Sequence, residues 1–143
     1  MRWKQIEDEP KTFVLVFETG DEIASVLQQF ARGQGLGGSS FEAIGALSHV
    51  KPGWFNWETK RYDPACVLDE QVEVLSLIGD IALRDRAPQV HAHMVVGRSD
   101  GTAHGGHLLE ARVRPTCELV LTESPIHLQK KFDPESGIVL IRI

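Results

Sequence analysis

The stretch His91–Glu110, HAHMVVGRSDGTAHGGHLLE, holds four of the six histidines of the chain around a single turn signal. Val90 to Gly97 is apolar and rich in β-branched residues, so it reads as a strand. Ser99-Asp100-Gly101 is a loop, and Thr102 onward returns as a second strand. A three-residue hairpin loop is usually a type I turn followed by a left-handed residue that makes a bulge. Asp100 suits the turn, and Gly101 supplies a positive φ without steric cost. This loop sets Arg98 opposite Thr102, Val96 opposite His104 and His93 opposite His107. Side chains alternate along a strand, so His91, His93 and His107 share one face and His104 points to the other. Directly opposed residues have Cβ atoms about 5 Å apart. A two-residue turn would slip the register by one and turn His107 away, so the site depends on the bulge.

Three neutral imidazoles on one rigid surface suit a divalent transition metal, zinc above all. Three protein ligands leave a coordination position open, as in catalytic or ligand-binding centres. Gly105 and Gly106, beside His107, are expected to leave room above the sheet for an ion, water or ligand. Glu42, Glu73 and Glu110 are candidates for a nearby general base or a carboxylate behind a ligand. The competing reading makes the histidines hydrogen-bonding or interface residues, and an H-x-H pair alone would favour it. His104 is expected at the surface or an interface.

The remainder of the chain bounds these readings. Its 143 residues, with 42% hydrophobic and 24% charged, suit one globular domain spanning residues 1–143. The net charge of −5 argues against a general phosphate-binding surface, and no Lys/Arg run exceeds two residues. The first ten residues, MRWKQIEDEP, lack the apolar core of a signal peptide. No apolar stretch approaches a membrane span. A cytoplasmic protein with no membrane partner is therefore expected. Cys66 and Cys117 lack C-x-x-C spacing and are expected to be buried free thiols.

Lys11 to Glu22 reads as a strand ending in a turn at Thr19-Gly20. Ile23, Val26, Leu27, Phe30 and Ala31 then follow helical spacing, with Gly33 or Gly35 available to stop the helix. GQGLGG precedes a small-residue strand over Gly37–Val50. It lacks the Lys-Ser/Thr of a P-loop and reads as a turn or packing element. KPGWFNWETKRYDP carries two of the three tryptophans and the single tyrosine, and a subunit interface is favoured there over an aromatic binding loop. CVLDEQVEVLSLIGDIALRD, EARVRPTCELVLTES, IHLQKKFD and GIVLIRI read as further strands. The expected fold class is α/β in the α+β sense: a mostly antiparallel sheet with one early helix packed on it.

From about Lys11 to Ile143 the chain resembles the plants and prokaryotes conserved (PPC) domain family, in its stand-alone prokaryotic form. The resemblance rests on GALS (Gly45–Ser48), EVLSLIGDIAL (Glu73–Leu83) and HAHMVVGRSDGTAHGGHLLEARV (His91–Val113), with its H-x-H, D-G turn and G-G-H. It implies a compact domain that assembles as a homotrimer. Plant members follow a DNA-binding AT hook and contact partners through a G-R-F-E-I-L segment. Here that segment corresponds to Glu70–Leu75, which keeps the acidic residue and the apolar tail. No R-G-R-P hook occurs in the sequence. Prokaryotic members are often labelled DNA-binding, so nucleic acid enters as a partner through the resemblance, without support from the charge. A cupin also uses H-x-H on a strand, but Gly97 and Arg98 stand where its glutamate is needed.

Three functions follow, in this order. The first is a homotrimeric binding module whose histidine site holds a metal or a small anionic ligand, in a regulatory role. The second is a small zinc-dependent hydrolase or hydratase, in which the open position activates water. The third is a DNA-associated protein. Besides the resemblance, the apolar terminal strand GIVLIRI and the tryptophan-rich segment are the features that point to a trimer.

Overall fold

The computed structural model describes residues 1–142 and holds nine strands and one helix. Strands β1 (Arg2–Asp8) and β2 (Lys11–Glu18) lead into helix α1 (Ile23–Gln34). The long strand β3 (Gly38–Asn56) turns into β4 (Arg61–Pro64). Then come β5 (Val72–Arg84), β6 (Ala87–Gly97), β7 (Ala103–Glu123), β8 (Gln129–Phe132) and β9 (Val139–Arg142). One sheet contains all nine strands in the order β1-β2-β7-β3-β5-β8-β9, with β4 on β3 and β6 bridging β5 and β7. Because β6 pairs with both β5 and β7, the path β7-β3-β5-β6 closes on itself. All pairings among the described residues are antiparallel except β5 with β8. The mostly antiparallel sheet with one early helix is as the sequence led us to expect.

Alternation in β2 turns Phe13, Leu15 and Phe17 into the core, where they meet Ile23, Leu27, Phe30 and Ala31 of α1. The helix begins where Glu22 caps it: its carboxylate accepts from the backbone N–H groups of Ala24 (3.2 Å) and Ser25 (2.9 Å). It ends at Gly35 rather than Gly33. Gly35 has φ 64°, and Leu36 N–H donates to Ala31 C=O at 3.0 Å, closing the helix with the two-bond terminal motif that glycine permits. Gln28 fastens α1 to the histidine strand: its amide donates to Pro88 C=O and accepts from Val90 N–H.

One strand and one cysteine depart from the sequence reading. β1 was not expected, because RWKQIED does not alternate apolar and polar residues, and the strand is mostly exposed. It forms because β2 offers an open edge, and because Trp3 packs edge-on against Phe13 and Phe30. Cys117 is fully buried as expected. Cys66 is only half-buried and lies in the connection after β4.

Candidate metal centre

β6 and β7 join through Ser99-Asp100-Gly101 in the expected register. His93 pairs with His107, Val96 with His104 and Gly97 with Ala103. Gly101 has φ 82° and donates to Arg98 C=O at 3.0 Å. Arg98 N–H donates to Thr102 C=O at 2.9 Å. The Asp100 carboxylate holds the returning strand, accepting from Thr102 N–H (2.9 Å) and Thr102 Oγ1–H (2.6 Å).

Each of His91, His93 and His107 offers a ligand atom, and these three atoms lie within 4.8 Å of one another. The ring centroids form a near-equilateral triangle with sides of 5.2, 5.1 and 5.3 Å. Tyr62, brought over by β4, stacks on His107 with the rings 3.9 Å apart. Burial first, then the fields of His91, His93 and Lys130, pull the His107 pKa down to about 4. Burial and the field of His91 also lower His93. Both rings are therefore neutral near pH 7, the form that ligates a metal. His107 Nδ1 is buried and has no hydrogen-bond partner.

The carboxylate beside the triad is Asp80, on β5 directly opposite His91. Its Oδ2 lies 3.4 Å from His91 Nδ1, and its Oδ1 lies 2.5 Å from the buried Lys130 ammonium. Burial alone would raise the Asp80 carboxyl, but its contacts with His91 and Lys130 outweigh that and hold it below the usual carboxylate range. A carboxylate behind Nδ1 leaves Nε2 of His91 as the nitrogen for a metal. Asp80 was not singled out in the sequence, and Lys130, which with Lys131 read as a solvated basic pair, is instead buried against it. What places Asp80 is a two-residue turn: Asp85 and Arg86 take positive φ and pair Arg84 with Ala87, and this register sets Asp80 against His91. The pair lacks the Asn-Gly composition that usually betrays such a turn.

The other candidates fall as follows. Glu42 lines a cavity of about 670 Å³ together with Asp80, His91 and His93. Two strand spacings separate it from His93, because it pairs with Ile78, which pairs with His93. Glu73 pairs with Gly97, five residues along β5 from Ile78, roughly 16 Å of extended strand from the triad. Glu110 is engaged elsewhere, 2.9 Å from Lys51 and 3.4 Å from His49. Gly105 and Gly106 serve close backbone approach instead of room for a ligand. A Cβ at Gly105 would come 2.6 Å from Met94 C=O, and one at Gly106 would collide with Gly53 C=O. His104 points to the opposite face, its Nδ1 3.9 Å from the Cys66 sulfur.

Relatives share both the sequence and the fold. A protein from Bacteroides thetaiotaomicron, provisionally described as DNA binding, superposes with a TM-score of 0.91 at 28% identity, over 99% of this chain and 96% of that one. A metal-containing protein from Archaeoglobus fulgidus gives 0.84 at 28% identity, over 99% and 97%. The bifunctional protein GlmU of a Synechococcus strain is 30% identical over 127 residues, 87% of this chain, and the chain spans only 19% of that protein's length. Residues 5–125 match the model of the Plants and Prokaryotes Conserved domain, abbreviated PCC or PPC. The chain therefore belongs to the Plants and Prokaryotes Conserved domain family.

Proposed function

We propose that the chain is a metal-binding domain in which His91, His93 and His107 hold one divalent transition ion, zinc by preference, with a coordination position left for a small ligand. The convergence of three imidazole ligand atoms within 4.8 Å carries this reading. Tetrahedral Zn–N bonds of about 2.0–2.1 Å put donor atoms roughly 3.3 Å apart, so modest ring rotations close the set. The neutral state of His93 and His107, the unpartnered His107 Nδ1 and the carboxylate behind His91 all favour it. So does the archaeal relative described as metal-containing.

The assembly we propose is a homotrimer. Its support is an apolar row that continues outward from the histidines. His107 pairs with His93, His93 with Ile78, Ile78 with Glu42 and Glu42 with Val120. Ile78 and Val120 on this row, with Ile44, Leu75 and Val95 nearby, are large aliphatic side chains left exposed. A contiguous apolar face of this kind marks an association surface. The Trp54 and Trp57 side chains, and to a lesser degree Leu140 and Ile141, are also open.

A hydrolase or hydratase is the second reading, favoured by Glu42 in the cavity beside His91 and His93. DNA association rests on the description of the Bacteroides relative, and the net charge of −5 gives it no electrostatic footing. Elemental analysis and solution mass of tag-free protein test the reading together. One transition-metal ion per chain in a particle of three chains is expected. Metal-free protein that takes up no zinc refutes the centre, and a concentration-independent monomer refutes the assembly.

A further inference from the structure

The β8–β9 hairpin is tied together internally and fastened to the rest of the sheet at few points. Its strands pair with each other from Gln129–Arg142 to Phe132–Val139. Asp133 holds the turn: its carboxylate accepts from Ser136 N–H (2.9 Å) and Ser136 Oγ–H (2.6 Å) and pairs with Arg142 (3.0 Å). Toward the body of the sheet, β8 makes a single parallel pair, Gln129 with Leu83, beside the bond from Leu83 N–H to Leu128 C=O at 2.8 Å. No apolar core holds the hairpin down. Among the residues of β8 and β9, Lys130 alone is buried, while Phe132, Leu140 and Ile141 are exposed. A lone two-stranded hairpin is marginal in water, and segments with few buried contacts open locally at little cost. The anchor of this hairpin is therefore a charge: the buried Lys130 ammonium meets Asp80 Oδ1 at 2.5 Å. The other oxygen of that carboxylate lies 3.4 Å from His91 Nδ1. Between hairpin and sheet lies a cavity of about 720 Å³, lined by Tyr62, His91 and His107 and by Phe132 and Leu140 of the hairpin. The hairpin thus roofs two of the three histidines.

We propose that the β8–β9 hairpin is a flap over the histidine centre, fastened through Lys130, Asp80 and His91, so that metal binding holds it closed and its closure tightens metal binding. A neutral imidazole carries its proton on one of two nitrogens. A metal on Nε2 of His91 confines that proton to Nδ1, where it faces Asp80. Without metal the other tautomer is open, and it turns a lone pair toward the carboxylate. Fixing the donor holds Asp80 in the orientation that keeps Oδ1 on Lys130. Lys130 in turn stays buried only beside its counter-ion, because a buried charge without one is strongly destabilising. By linkage, closure and metal binding favour each other by one common factor. The proposal rests on the metal-centre reading above and adds its regulation.

Hydrogen–deuterium exchange of the tag-free, EDTA-treated full chain, with and without saturating zinc, tests the coupling beside calorimetric zinc titrations. Zinc is expected to slow the amides of residues 129–142 by about fivefold or more, while β1, on the opposite edge of the sheet, changes by less than about twofold. Lys130→Met keeps a long stem and removes the charge. Its hairpin should exchange fast with or without zinc, and its zinc affinity should fall by the same factor by which zinc slows the parent's hairpin. The parent decides the question without any variant: zinc bound with hairpin exchange unchanged overturns the flap and leaves the metal centre standing. A folded Lys130→Met protein that keeps the parent's zinc affinity, or keeps zinc-dependent protection of its hairpin, overturns the coupling through Lys130. No zinc uptake by the parent removes the metal centre and the coupling with it.

Discussion

Protonation of His107 works against the folded chain, and the effect can be isolated. Its pKa is held at about 4 in the fold, against 6.5 for a free imidazole. The unfolded chain therefore takes up this proton first as pH falls. The stability that the neutral ring contributes is complete above pH 6.5, is lost between pH 6.5 and 4, and does not change further below that. A displacement of about 2.5 pH units corresponds to roughly 3.4 kcal/mol as an upper bound. His107 is only half-buried, so solvent screening reduces this to about 1–2 kcal/mol. Urea unfolding of metal-free protein and of His107→Gln, from pH 7.5 to 4, gives the difference directly. Subtracting the two profiles cancels carboxylates such as Asp80 and Asp21, whose own lowered values cost stability at the acid end. The parent should lose about 1–2 kcal/mol more than the variant across this window. Parallel profiles would show that burial does not hold the ring neutral and would refute the argument.

Two further outcomes follow from the same geometry. Asp80→Asn removes the charge beside His91 and leaves Lys130 buried without its counter-ion; zinc affinity should fall about 10–100-fold and thermal stability should drop, as calorimetry and thermal melts will show. Leu27→Ala empties a fully buried site between α1 and the sheet and should cost about 3 kcal/mol in urea unfolding, with zinc affinity changed less than tenfold because β6 and β7 hold the histidines.

The hairpin was legible because everything that fixes it is local. Asp100 and Gly101 determine the loop, the loop determines the register, and the register puts three histidines on one face. The helix was legible for the same reason, from the stripe of Ile23, Leu27, Phe30 and Ala31. What escaped depends on pairings distant in sequence or on backbone proximity. Lys130 reaches Asp80 because β8 lies beside β5, across more than forty residues. Gly106 looked like open space, yet the backbone of β3 at Gly53 occupies the place a side chain would take. β1 carries no alternation of its own and takes its structure from the edge of β2. Glu110 appeared to be a free carboxylate until β3 brought Lys51 and His49 to it.

The most direct test of the metal centre is zinc affinity at pH 7.5 for the tag-free parent, His107→Ala and His104→Ala. The parent should bind one zinc ion per chain. His107→Ala should lose most of that affinity, because His91 and His93 alone leave the set incomplete. His104→Ala should match the parent, because its ring lies on the opposite face beside Cys66. Equal losses in the two variants, or no zinc bound by the parent, would contradict the account.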